Sequence, residues 1–198
     1  MENLEKLKEL KELYLGFTDV NDAGLKHLKG LAQLELLWFT ECHNLTDAGL
    51  QHLSGLERLK HLRLVHDNIT DAGLEHVKPL RNLEELDLRQ TKVKGPGLRY
   101  LGGMKQLRDL DLGETQVDDN AIEHLEGLTQ LKGLNLSKSK ISSVGLKRLK
   151  GLHRMFALGL SGTGVDDAGL EHLKGLTQMW SLDIAGTRVT DAVSFRQA

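Results

Sequence analysis

The chain has 198 residues, 39% of them hydrophobic and 27% charged: enough apolar material for a core, and too much charge for a membrane-embedded protein. A formal net charge of −2 gives no general attraction to nucleic acid or to a lipid surface. No apolar run is long enough to span a bilayer, and Cys42, the single cysteine, excludes an intramolecular disulfide. The opening MENLEKLKELKEL lacks the features of a secretory signal. With the lone cysteine, that favours the cytoplasm as the protein's location.

Residues 1–9 match only the last part of a unit that starts in full at Leu10. From there LKELYLGFTDVNDAGLKHLKGL recurs, with starts at Leu34, Leu59, Leu83, Leu107, Leu131, Met155 and Met179. The period is 24 residues, broken by one 25-residue step from Leu34 to Leu59. The extra residue lies in Cys42-His43-Asn44-Leu45, where another copy has Thr115-Gln116-Val117. The expected organisation is a single domain over 1–198: a half-repeat at 1–9, seven repeats over 10–178, and a partial terminal repeat over 179–198.

Along one unit, Leu13 and Leu15 alternate with Tyr14, which is strand periodicity. Leu25, Leu28, Leu31 and Leu34 then recur every three residues and predict a short helical turn. Between them, the column of Thr18 (Cys42, Asp67, Thr91, Thr115, Ser139, Thr163, Thr187) supplies small groups able to satisfy backbone amides and carbonyls at the bend. Asp22, Asp47, Asp71, Asp119, Asp167 and Asp191 stand where N-caps are needed. Gly30, Gly55, Gly103, Gly127, Gly151 and Gly175 follow the helical stretch as left-handed terminators. A further glycine column (Gly24, Gly49, Gly73, Gly97, Gly145, Gly169) lies inside the first helical turn. Glycine costs about 1 kcal/mol there against alanine, and the compensating gain is close approach of neighbouring coils.

LxxLxLxxT followed by VTDAGLxxLxxL resembles the leucine-rich repeat, in the form found in bacterial leucine-rich-repeat proteins. It also resembles the cysteine-containing repeats of F-box proteins. The resemblance covers nearly the whole chain. It implies an α/β leucine-rich-repeat solenoid, a horseshoe with a concave parallel sheet of about eight strands and short helices on the convex side. Such an open, curved surface suits a macromolecule better than a small substrate. The function it implies is binding of a protein or peptide partner on the concave face. The alternatives are a self-associating scaffold, or a piece of a larger leucine-rich-repeat receptor or effector.

Strand register converts the sequence into a surface. Between the core leucines lie Tyr14, Trp38, Arg63, Asp87, Asp111, Asn135, Gly159 and Asp183; before them lie Glu12, Leu36, His61, Glu85, Asp109, Gly133, Ala157 and Ser181. The first two strands should present Tyr14, Leu36 and Trp38, with Phe17 at the edge, as anchors of the kind interfaces favour. Phe39 takes a core position. Glu85, Asp87, Asp109 and Asp111 form an acidic block bordered by Arg63, His61 and Arg89. The block would draw a basic segment of the partner, or stand as a solvated surface offset by those arginines. The far end is small: glycine, alanine and serine.

Five histidines (His27, His52, His76, His124, His172) share one helical column and occur only in units with Asp at the cap. That pairing points either to an Asp–His contact or to descent from one parent unit, with the histidines structural or solvated. A straight ladder offers no convergent metal set, so no metal or cofactor is expected. For catalysis only His61, His66 and the acidic block offer candidates, and an open sheet shelters none of them. A non-enzymatic protein is expected. The last unit departs from the pattern at VTDAVSFRQA, where Val193 and Phe195 either cap the coil or mark a cut. Phe156 and Trp180 share a column near that end, where weak self-association is conceivable.

Overall fold

The computed structural model describes residues 1–191, so the expectation for Val193 and Phe195 lies outside the described residues. Each leucine-led unit supplies one short strand, and the strands stack in chain order into a single eight-stranded parallel sheet. The strands are β1 Glu12–Tyr14, β2 Leu36–Thr40, β3 His61–Val65, β4 Glu85–Asp87, β5 Asp109–Asp111, β6 Gly133–Asn135, β7 Ala157–Gly159 and β8 Ser181–Asp183. Leu13, Leu37, Leu62, Leu86, Leu110, Leu134, Leu158 and Leu182 face one another in an unbroken row. Burial of that row holds the register, because a slip of one residue would turn every leucine outwards.

Opposite the sheet the chain returns through single helical turns. These are α1 Asp22–Leu25, α2 Asp47–Leu50, α3 Leu74–Val77, α4 Ser143–Leu146 and α5 Asp167–Glu171, with 3₁₀ turns at Pro96–Leu101 and Ala121–Leu125. The three-residue leucine spacing is carried on by successive tight turns: Leu31 N donates to Leu28 O at 2.9 Å, and Leu34 N to Leu31 O at 3.0 Å. These turns remove the need for a left-handed terminator. Among the described glycines only Gly95, Gly162 and Gly186 have positive φ, so Gly30, Gly55, Gly103, Gly127, Gly151 and Gly175 do not play the role their position predicted. The left-handed residue sits elsewhere, just past each strand, at Phe17, Glu41, His66, Gln90, Glu114 and Lys138 and then at Gly162 and Gly186. There the chain turns out of the sheet, and six units accept a side chain in a conformation that favours glycine.

The aspartates are not N-caps either. In four helices the cap is the residue one place earlier in the repeat: Asn21 accepts from Gly24 N, Thr46 from Ala48 N, Ser142 from Val144 N and Asp166 from Gly169 N. Asp22, Asp47 and Asp167 open their helices, Asp71 and Asp119 stand in the turn before theirs, and all five reach forward to the next coil. Asp22 accepts from Thr46 N at 2.8 Å and Thr46 Oγ1 at 2.7 Å. Asp47 does the same with Thr70, Asp119 with Ser142 and Asp167 with Thr190. Thr46 Oγ1 is thus used twice, donating to Asp22 and accepting from Ala48 N. Asp71 accepts from three amides, Lys94, Gly95 and Gly97.

The inner glycine column is explained by the same contact. A Cβ on Gly49, Gly73 or Gly145 would lie 2.5, 2.3 or 2.5 Å from the Asp Oδ1 of the coil before. On Gly97 it would meet the backbone of Asp71, at 2.5 Å from its oxygen and 2.7 Å from its Cα. One unit exchanges the pair: Ala121 takes the glycine position, and Gly95 takes the aspartate position before it, where a Cβ would lie 2.3 Å from that of Ala121.

The small polar column behaves as expected. Thr18, Thr91, Thr115, Ser139, Thr163 and Thr187 each donate to the carbonyl three residues back, at 2.6–2.7 Å. Cys42 donates to Leu15 O instead. Asp67 is the exception. It is 3% exposed; Oδ1 accepts from Cys42 N at 2.7 Å, and Oδ2 is buried without a partner. Burial pushes its pKa from an ordinary 3.8 up to about 7.

Two outcomes follow from these contacts. Gly97→Ala should destabilise the protein by roughly 1–3 kcal/mol, since two backbones must separate, and lower Tm by several degrees in a thermal melt. Gly127→Ala, whose Cβ meets nothing within 4 Å, should leave Tm unchanged or slightly raised. For Asp67, the folded protein keeps a proton that the unfolded chain has lost. Its effect on stability is therefore nil below pH 3.8, grows more unfavourable as pH rises to about 7, and is constant above. In denaturant titrations Asp67→Asn, which keeps the acceptor for Cys42 N, should match wild type near pH 4. It should exceed wild type by on the order of 2–4 kcal/mol near pH 8; parallel pH curves would refute the account.

Candidate partner-binding face

Pairing of β1 with β2 sets Tyr14 beside Trp38, and β2 with β3 sets Trp38 beside Arg63. The core rows already hold Leu37 and Phe39, both fully buried, so these side chains stand on the concave surface. Tyr14 is 54% exposed. Its ring centroid lies 5.3 Å from that of Trp38, tilted by 51°, and the Arg63 guanidinium sits 4.2 Å from the Trp38 ring centroid. Arg63 is held from its other side by Glu85, at 2.8 Å through Nε and 2.7 Å through Nη2. The Tyr14 hydroxyl donates to Glu12 at 2.9 Å, which raises its pKa. Four adjacent strands thereby carry one line of contacts, Tyr14–Trp38–Arg63–Glu85.

The acidic block is largely neutralised from within. Glu85 is shared by Arg63 and by His61, whose Nδ1 lies 3.1 Å away. Asp87 is buried and gripped by both Nε and Nη2 of Arg89, the shortest contact 2.7 Å, a geometry that raises the Arg89 pKa. Asp111 accepts from Gly113 N at 2.9 Å and Asn135 Nδ2 at 3.0 Å, and lies 3.3 Å from Arg89 Nε. Loss of solvent still raises its pKa, with the charge of Asp87 adding to the effect. Of the acidic block, only Asp109 has no hydrogen bond or ion pair among the described residues. Solvent withdrawn by the concave wall, then the charge of Glu85, push its pKa up. A groove of about 320 Å³ starts at Arg63 and the acidic block and runs over Gly133, Ala157, Gly159 and Ser181 to Asp183.

His61 joins the Glu85 network, whereas His66 packs edge-on against His43 at 5.6 Å and lies 3.8 Å from Glu41. The two histidines with catalytic potential therefore belong to separate sets of contacts. The expected Asp–His contact is absent among the described residues: the column aspartates bond to the next coil, and His27 pairs with Glu5. Among the described residues no three His, Cys, Asp or Glu side chains converge as a metal ion requires.

The family model for the leucine-rich repeat matches residues 80–102. Among solved structures the chain is similar to an internalin, inlF, of Listeria monocytogenes, with TM-score 0.69 and 20% identity over 94% of this chain and 64% of that one. It is also similar to internalin C2 of the same organism, with TM-score 0.76 and 22% identity over 91% of this chain and 74% of that one. The chain has the leucine-rich-repeat fold. No curated protein matches it. Identities of this size show a shared fold, and the chain spans less than two thirds of the length of inlF. These matches bear on the repeat fold and not on the likeness to F-box proteins.

On this leucine-rich-repeat frame Tyr14 and Trp38 meet, Leu36 is half-buried beside them, and Phe17 is exposed past the end of β1, with no ring contact among the described residues. Arg63, Glu85, Asp87 and Asp111 belong to the neutralised network, which leaves Asp109 as its open member. Arg89 is as central as any of these. Its signal in the sequence was its place just past Asp87 on β4. No helix among the described residues is long and apolar enough to cross a membrane.

Proposed function

We propose that this leucine-rich-repeat chain holds a protein or peptide partner on its concave face, anchored on Tyr14 and Trp38. Leucine-rich-repeat folds are in general protein-interaction modules, and the specific surface is the new element of the reading. The observation that carries it is the contact of exposed Tyr14 with half-buried Trp38, clamped by Arg63. Its rings occupy positions that most other units fill with small or charged residues. The clamp orders Trp38 before any partner arrives, so less side-chain freedom is lost on binding. Arg63, Glu85, Asp87, Asp109 and Asp111 border the anchors and supply polar selectivity, with Leu36 and Phe17 as flanking apolar contacts.

A second reading rests on Phe156 and Trp180, stacked with centroids 5.8 Å apart and 20° between planes; Trp180 is 76% exposed. That pair is a contact for a second copy of the chain, and mass measured by light scattering across a concentration series tests it. For the first reading, Tyr14→Ala/Trp38→Ala is compared with wild type in affinity capture from the native source, with circular dichroism to verify folding. A partner retained by wild type should lose at least about tenfold in affinity, the effect of removing interface hot spots. Equal retention by both proteins would remove the concave anchors from consideration.

A further inference from the structure

The repeat provides its own baseline for detecting a second surface. Residues 131–154 carry seven Lys and Arg and no Asp or Glu, while residues 107–130 carry one Arg and seven Asp and Glu. In the basic unit SSVGLKRLKG stands where the following unit has DDAGLEHLKG. Each change removes a carboxylate, adds a cation or enlarges an apolar side chain. None is demanded by the scaffold, since Ser143 keeps the contact between coils by hydrogen bonding with Asp166.

Only part of this charge is cancelled. Lys138 pairs with Glu114 at 3.4 Å, and Arg148 with Glu126 at 2.9 Å and Glu123 at 3.9 Å. Lys140 and Arg154 reach only the neutral amides of Gln116 and Gln130. On the following coil Glu171 is taken by Lys174. Lys147 and Lys150 are exposed on the convex side and form no ion pair among the described residues. Between them and the acidic coil lies a depression of about 570 Å³ lined by Glu126, Val144, Lys147, Arg148, Lys150 and Gly151, with Val144 72% exposed.

We propose that this convex depression docks a short acidic segment of a partner protein, with its carboxylates on Lys147 and Lys150 and an apolar side chain over Val144. Charge complementarity selects the sign of the occupant. The width of the strip selects its kind. The basic strip is one coil across, with Glu123 and Glu126 on one side and Glu171 on the other. A duplex or an anionic membrane would lie across those carboxylates as well as the lysines, whereas an extended peptide can follow the single coil.

The test uses the full chain and a fluorescein-labelled octapeptide of Glu and Asp with one central Leu, read by fluorescence polarisation at low and moderate salt. Wild type should bind saturably, more weakly as salt rises. Lys147→Glu/Lys150→Glu should weaken binding about tenfold or more, and Val144→Asp severalfold. Lys26→Glu/Lys29→Glu, in the same two columns of the first unit, should keep the affinity, as should Tyr14→Ala/Trp38→Ala. Should the double reversal fail to fold, Lys147→Gln/Lys150→Gln replaces it. Absence of saturable binding by wild type, equal losses in both reversals, or stronger competition by duplex DNA or anionic vesicles would overturn the proposal.

Discussion

No unit of this chain can bury its leucines alone. Leu37 or Leu110 is covered partly by its own helical turn and partly by the coils on either side, so the spacing between neighbouring coils decides everything else. Three kinds of contact act at that one interface. Parallel strand pairing sets the spacing on the concave side. On the helical side the aspartate of one coil ties down the amide and hydroxyl of the next. Between the two, a glycine lets the coils approach until a Cβ would have no room. The exchange at Gly95 and Ala121 shows that the constraint belongs to the pair and not to either position, because one small residue for two coils is enough there.

A scaffold held in this way makes few demands on its outward-facing columns. Departures from the repeat at such positions are therefore informative, since packing does not account for them. Trp38 and Tyr14 are one such departure and Val144 with Lys147 another. They lie on opposite sides of the solenoid and near different ends. The first is ordered by Arg63 and Glu85 on neighbouring strands. The second is defined by lysines that form no ion pair among the described residues.

Charge along the solenoid is managed between coils. Lys60 pairs with Glu35, Arg63 with Glu85, Arg108 with Glu84 and Arg148 with Glu126, each across one interface. Exposed pairs of this sort contribute at most about 1 kcal/mol each. Their larger effect is on surface potential: they erase most of the acidic block as an open patch, while Asp109, Lys147 and Lys150 form no ion pair among the described residues. Asp67 runs against this arrangement. It places a carboxyl in a column otherwise filled by hydroxyls and a thiol, and buries one oxygen without a donor.

The sequence by itself determined the repeat, its period, the strand row of leucines and the outward columns, because all of these follow from which residues recur at fixed spacing. It equally marked Tyr14, Leu36 and Trp38 as surplus to the core. Tertiary structure alone decided where the polar side chains go. Asp22 has the spacing of a helix cap, and only the neighbouring coil reveals that its carboxylate serves Thr46. Gly30 has the position of a left-handed terminator, and only the run of tight turns shows that Phe17 and its counterparts take that conformation instead. The acidic block is plain in the strand columns, yet its neutralisation depends on the directions taken by Arg63 and Arg89. Spacing in the sequence encodes which face a residue occupies. The partner it meets there is set by a coil 24 or so residues away, through contacts that no local pattern contains.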